Sequence, residues 1–128
     1  MISLPHPVRV FLHTPPTDLR KGFDALCGLV TTAFAQDPTS GHLFLFVNRR
    51  RDRVKILYWD RDGLAIWYKR LETGSFQLPA ADRDAVSIEM SSTQLALILS
   101  GIDLRSARQR KRYQHPRPEI EKPVGAPL

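Results

Sequence analysis

The sequence predicts an α+β fold: a mainly antiparallel sheet of about four to six strands, with two helices packed on one face. Three observations carry this. Short apolar or alternating runs recur along the chain, each closed by proline, glycine, asparagine or aspartate. One longer segment spaces its apolar residues by threes and fours. A capping-box pattern opens a second apolar segment near the end of that series.

Each element follows from its own residues. Val8-Arg9-Val10-Phe11-Leu12 reads as a short strand that Pro16 ends. Thr17 or Asp18 is suited to cap a helix, and Leu19, Phe23, Leu26, Val30 and Ala33 then form one helical stripe. Asp37-Pro38-Thr39-Ser40-Gly41 supplies the stop. Leu43-Phe44-Leu45-Phe46-Val47 is apolar on both faces, as a central strand must be. Asn48 to Asp52 is a polar connection. Val54–Asp60 and Leu64–Arg70 read as a hairpin, with Gly63 in the left-handed position of a three-residue loop. That register puts Val54, Ile56, Tyr58, Leu64, Ile66 and Tyr68 on one face. It puts Lys55, Leu57, Trp59, Ala65, Trp67 and Lys69 on the other. Ser75–Pro79 is a candidate short edge strand, and Val86–Met90 alternates as another strand. Ser91 and Gln94 form the capping box, Leu95, Leu97, Ile98, Leu99 and Ile102 the buried side of a short helix, and Gly101 its stop.

Composition bounds the function. The 128 residues are 42% hydrophobic and 25% charged, as in an ordinary globular protein. No apolar run reaches the ~20 residues of a membrane span. No secretory leader is visible, and a lone cysteine, Cys27, offers neither disulfide framework nor cysteine-rich zinc site. A cytoplasmic, nucleoid-associated protein is expected, with no cofactor or bound metal. The net charge of +6 is uneven. Residues 1–104, read as one domain, hold 12 basic and 11 acidic residues; residues 105–128, read as a basic then proline-rich tail, hold 7 and 2.

Two basic clusters stand out. Arg49, Arg50, Arg51, Arg53 and Lys55 fall at one hairpin. Guanidinium groups bind phosphate bidentately, so this cluster is the leading candidate for nucleic-acid contact. Arg105, Arg108, Arg110, Lys111 and Arg112 form an auxiliary phosphate-binding patch in the tail. Trp59 and Trp67, expected beside Arg51, Arg53 and Lys55, are candidates for stacking or docking. Asp60 and Asp62 flank Arg61, and paired carboxylates can hold magnesium, although turn formation explains them as well. Neither a G-x-S-x-G serine, a phosphate-binding P-loop nor a dinucleotide fingerprint is present, so no catalytic residue is assigned.

The order of these motifs resembles one family. Pro16-Thr17-Asp18-Leu19-Arg20-Lys21-Gly22-Phe23-Asp24 is similar to the opening signature of the accessory proteins encoded by the second open reading frame of insertion sequence 66 transposons. Ser40-Gly41, Leu43 to Phe46 and Asn48-Arg49-Arg50-Arg51-Asp52-Arg53 continue it. Lys55-Ile56-Leu57-Tyr58-Trp59-Asp60, Trp67 to Glu72, Ser92 to Ala96 and Gly101-Ile102-Asp103 complete it over roughly residues 5–104. The resemblance implies a small bacterial protein encoded beside a larger transposase that carries the catalytic carboxylates, and a role assisting transposition. The expectation is therefore a non-catalytic accessory with DNA and the transposase as partners. The alternatives are a subunit that docks on the transposase without touching DNA, and a metal-dependent nuclease using Asp60 or Asp62.

Overall fold

A computed structural model of the protein describes residues 7–101. The elements in chain order are β1 (Val10–His13), α1 (Phe23–Ala33), β2 (Leu43–Val47), β3 (Arg53–Asp60), β4 (Gly63–Arg70), β5 (Ser87–Met90) and α2 (Ser92–Ser100). The strands form one five-stranded sheet in the order β4-β3-β2-β1-β5. β1 and β2 run parallel, joined through α1, and the remaining pairings are antiparallel. The α+β class and the strand number match the expectation from sequence.

The helices, however, do not share a face. Leu26 and Val30 of α1 pack with Phe11, Phe44, Phe46 and Leu57 on one side. Leu95 and Ile98 of α2 pack with Val10, Leu12, Leu45, Val47, Val54 and Ile56 on the other. The cause lies in β2. Its side chains alternate between the two faces, and Phe44, Leu45, Phe46 and Val47 are all apolar and at most 3% exposed. A strand apolar on both faces needs a cover on each.

The first helix starts later than its apolar stripe suggests. Its N-cap is Gly22, without a side-chain cap. Asp18 instead closes a local turn: its Oδ1 accepts the Arg20 N–H at 3.0 Å, and its carbonyl accepts the Lys21 N–H at 3.2 Å. Arg20 and Lys21 oppose the positive end of a helix dipole, and Gly22 is a poor helix former. Leu19 is still buried on the α1 side, from the turn rather than from the helix. At α2 the capping box is complete: Ser91 Oγ accepts the Gln94 N–H, and Gln94 Oε1 accepts the Ser91 N–H. Gly101 closes the helix in the left-handed region, at φ 91°. Ile102 lies outside the described residues.

The β3–β4 hairpin is one residue out of the expected register. Asp60 pairs with Gly63, so the turn holds only Arg61 and Asp62. Arg61, at φ 59°, supplies the left-handed residue expected of Gly63, and the Asp62 N–H donates to the Asp60 carbonyl at 2.6 Å. The slip exchanges every β4 side chain between faces. Trp67 and Lys69 join Val54, Ile56 and Tyr58, while Leu64, Ile66 and Tyr68 join Lys55, Leu57 and Trp59. Leu64 and Ile66 then fall against the α1-side core, where their apolar area is used. Ser75–Pro79 forms no strand; its buried Phe76 closes the α2-side core. Among the described residues, no helix is long and apolar enough to cross a membrane.

A candidate nucleic-acid interface at one end of the sheet

β1 and β2 both finish at the same end of the sheet, and β3 starts there. The β2–β3 connection, residues 48–52, is therefore presented beside the turn that follows β1. The two are tied by the Thr17 N–H, which donates to the Val47 carbonyl at 2.9 Å. Thr17 Oγ1 is hydrogen-bonded to His13 Nδ1 at 3.0 Å, in the interior. Burial lowers the His13 pKa, an effect partly opposed by a hydrogen bond at Pro15, so its imidazole is neutral near pH 7.

Asn48 organises the loop. Its Oδ1 accepts the N–H groups of Asp52 (3.1 Å) and Arg53 (3.0 Å), and its Nδ2 donates to Asp52 Oδ1 at 2.7 Å. The Asn48 carbonyl accepts the Arg51 N–H at 3.0 Å. Arg51 has φ 60°, a conformation that costs a side-chain-bearing residue about 1 kcal/mol. The neighbouring segment holds it there: the Arg51 carbonyl accepts the Phe76 N–H at 2.6 Å, and the Asp52 carbonyl accepts the Leu71 N–H at 2.7 Å. The loop is short, bonded at both ends and braced from the side.

Its cations are outside. Arg49, Arg50, Arg51 and Arg53 are all exposed. Among the described residues the ion pairs are Arg9–Glu89, Arg20–Asp18 and Arg70–Glu72, and none uses these four arginines. Arg53 Nη1 donates to the Tyr68 hydroxyl at 3.3 Å. Lys55 is more enclosed: it is half-buried, its Nζ donates to the Lys21 carbonyl at 2.9 Å, and it lies 5.0 Å from the centre of the Tyr68 ring.

An open cleft of about 570 Å³ lies between the loop and the turn after β1. Asn48, Arg49, Arg50, Arg53, Tyr68 and the carboxylate-bearing Asp52, which is bonded to Asn48, line it from one side, and Pro16 to Arg20 from the other. The acidic Asp18 is locked in a bidentate pair with Arg20, with Nη2 to Oδ2 at 2.7 Å. That guanidinium, with its backbone N–H, holds the Asp18 carboxyl well below the usual carboxylate range. Arg51 turns the other way, to a second cleft of about 410 Å³ lined also by Arg83 and residues 78–82. The arginines adjacent in sequence thus serve two sides of the sheet end.

The other sequence candidates are dispersed. Trp59 and Trp67 lie on opposite faces and cannot form one platform. Trp59 Nε1 donates to the Arg61 carbonyl at the distant turn. Asp60 and Asp62 are at that turn too, at the opposite end of the eight-residue β3 from Arg53, roughly 23 Å away. Among the described residues no group of three or more histidines, cysteines or carboxylates gathers to hold a metal. The half-buried Cys27 thiol is pushed up by burial and then by Asp24, which disfavours a thiolate. Arg105, Arg108, Arg110, Lys111 and Arg112 lie outside the described residues. The residue missed from sequence is Tyr68. Counting a two-residue turn, instead of giving the loop to Gly63, would have set it opposite Lys55.

Fold and cleft define a class: a small mixed-sheet protein with one helix on each face and a cation-lined cleft at one sheet end. The chain belongs to the family described as IS66 Orf2 like protein, whose model it matches over residues 8–109. That membership ties it to the accessory functions of transposition, in a family of accessory proteins rather than known enzymes. Among its relatives is "Uncharacterized protein y4jC" of Sinorhizobium fredii, 35% identical over 103 residues, covering 80% of this chain and 86% of the relative. "Uncharacterized protein y4hO" of the same organism is 37% identical over 102 residues, covering 80% and 87%. No solved structure matches the chain.

Proposed function

We propose that this protein is a non-catalytic accessory of DNA transposition that grips DNA phosphates with the loop between β2 and β3, alongside a separate transposase subunit. One observation carries the reading: Arg49, Arg50, Arg51 and Arg53 are exposed without a carboxylate partner among the described residues, on a loop that Asn48 holds in shape. Guanidinium groups already presented need no ion pair broken before they meet a phosphate, and the braced loop backbone loses little freedom when they do. Lys55 adds positive charge behind Tyr68, and Arg105, Arg108, Arg110, Lys111 and Arg112 extend the same chemistry along the chain. Such contacts position a protein on DNA without reading its sequence.

The test is a salt titration of binding to a random DNA duplex. The affinity should fall steeply as salt rises, because each phosphate neutralised releases condensed counterions. Alanine at the loop arginines should flatten the slope. A second reading rests on Trp67 and Tyr68, 40% and 48% exposed on the edge strand β4: docking on the transposase without DNA. Absence of duplex binding at low salt, together with co-purification of the transposase, would select it.

A further inference from the structure

We infer that the cleft between residues 16–20 and the arginine loop seats an unpaired nucleotide of single-stranded DNA, its base stacked on Tyr68 and its phosphate among Arg49, Arg50 and Arg53. This rests on the proposed DNA contact and names the form of DNA that the site prefers.

Phosphate binding alone requires no aromatic ring. Yet Tyr68 is the aromatic residue lining this cleft, and it is 48% exposed on the edge strand β4. Its ring is also held at two points. Arg53 Nη1 donates to the hydroxyl, and the Lys55 ammonium lies 5.0 Å from the ring centre, itself anchored to the Lys21 carbonyl. A ring braced in this way loses little freedom when something stacks on it. In a duplex the base faces are buried against one another, so a protein ring cannot reach them. In a single strand every base presents a π-face, and aromatic platforms flanked by cations are the recurring solution for binding it.

The dimensions and the donors agree. A cleft of about 570 Å³, open to solvent, is of the size that takes a nucleotide-scale ligand. Arg49, Arg50 and Arg53 line it, with Arg20 opposite them. The backbone N–H groups of Arg49 and Arg50, two of its lining residues, have no partner among the described residues.

The test uses the full chain and two probes of equal length, an oligo-dT strand and a blunt random duplex, followed by fluorescence anisotropy at one salt concentration. The wild-type protein should bind the single strand more tightly. Tyr68→Leu, which keeps an apolar strand residue, should weaken single-strand binding about tenfold, the scale of one lost base stack, and change duplex binding less than about twofold. Tyr68→Phe, which keeps the ring, should retain single-strand affinity within about threefold. Equal affinity for the two probes, or an equal loss on both in Tyr68→Leu, overturns the inference and leaves the arginine grip standing. Binding to neither probe at low salt overturns both.

Discussion

Two sets of exposed cations, at opposite ends of the sheet, stand in opposite states. At one end Arg9 is committed. Its Nε and Nη2 donate to the two carboxylate oxygens of Glu89 at 2.9 and 2.7 Å, its guanidinium lies 5.0 Å from the Phe11 ring centre, and its backbone N–H donates to His42 Nδ1. Glu89 holds the Arg9 pKa up, and Arg9 holds that of Glu89 down, so both stay charged. At the other end Arg49, Arg50, Arg51 and Arg53 have no such partner among the described residues. A paired cation closes a structure, whereas an exposed unpaired one is available to a ligand. The contrast separates cations that serve the fold from those proposed to serve binding.

Loss of the unpaired loop arginines should have the greatest consequence. Replacing Arg49, Arg50 and Arg53 together with alanine should lower duplex affinity at low salt on the order of a hundredfold, and reduce the slope of log affinity against log salt by about three. An unchanged slope would erase the distinction between the ends. Urea denaturation should barely change for that variant, because the three side chains are exposed.

Asn48→Ala comes next and acts through the loop. It removes both acceptor bonds to Asp52 and Arg53 and the donor bond to Asp52. A cost of about 1–3 kcal/mol in urea unfolding is expected, along with weaker DNA binding as the arginines lose their common presentation. Wild-type binding with full stability would show that the loop does not depend on this residue.

Asp18→Asn frees a paired cation within the cleft. The amide oxygen can still accept the Arg20 N–H, but the negative charge goes and Arg20 is released. Duplex affinity should rise by about threefold, with a steeper salt dependence. A fall in affinity would mean that the Asp18–Arg20 pair itself shapes the binding surface.

The pH dependence probes the interior behind the cleft. His13 has a folded-state pKa below its ordinary value of 6.5, chiefly because it is buried. The unfolded chain therefore takes up the proton first as pH falls. The stability linked to His13 is complete above pH 6.5, declines below it, and levels off once the lower folded value is passed. Urea midpoints measured from pH 8 to pH 5 should follow that course, and His13→Gln should flatten it. The smallest effect is reserved for Arg9→Ala at the paired end, with a minor shift in urea midpoint and unchanged DNA affinity, since an exposed pair is screened by solvent.

Much of the fold was legible because local chemistry determines it. The capping box at Ser91 and Gln94, the stop at Gly101 and the doubly apolar β2 each depend on residues a few positions apart. The candidate site was half legible. The arginine run was plain, but its partners were not, because a turn one residue shorter moved Tyr68 beside Lys55 and carried Trp67 to the opposite face. Sequence also could not show that Asp18 pairs with Arg20 instead of capping a helix. That choice depends on where α1 begins when it meets the sheet.

Alone, the sequence determined the α+β class, the two-faced character of β2, the density of positive charge and the family resemblance. These are properties of composition, period and order, which the chain carries before it folds. Tertiary structure decided that each face has its own helix, that the turn at 16–20 meets the loop at 48–53, and that Arg51 parts from Arg49 and Arg50. Those outcomes hinge on strand pairing and register, where residues far apart in the chain are set opposite one another and a shift of one position reverses which side of the sheet every side chain occupies.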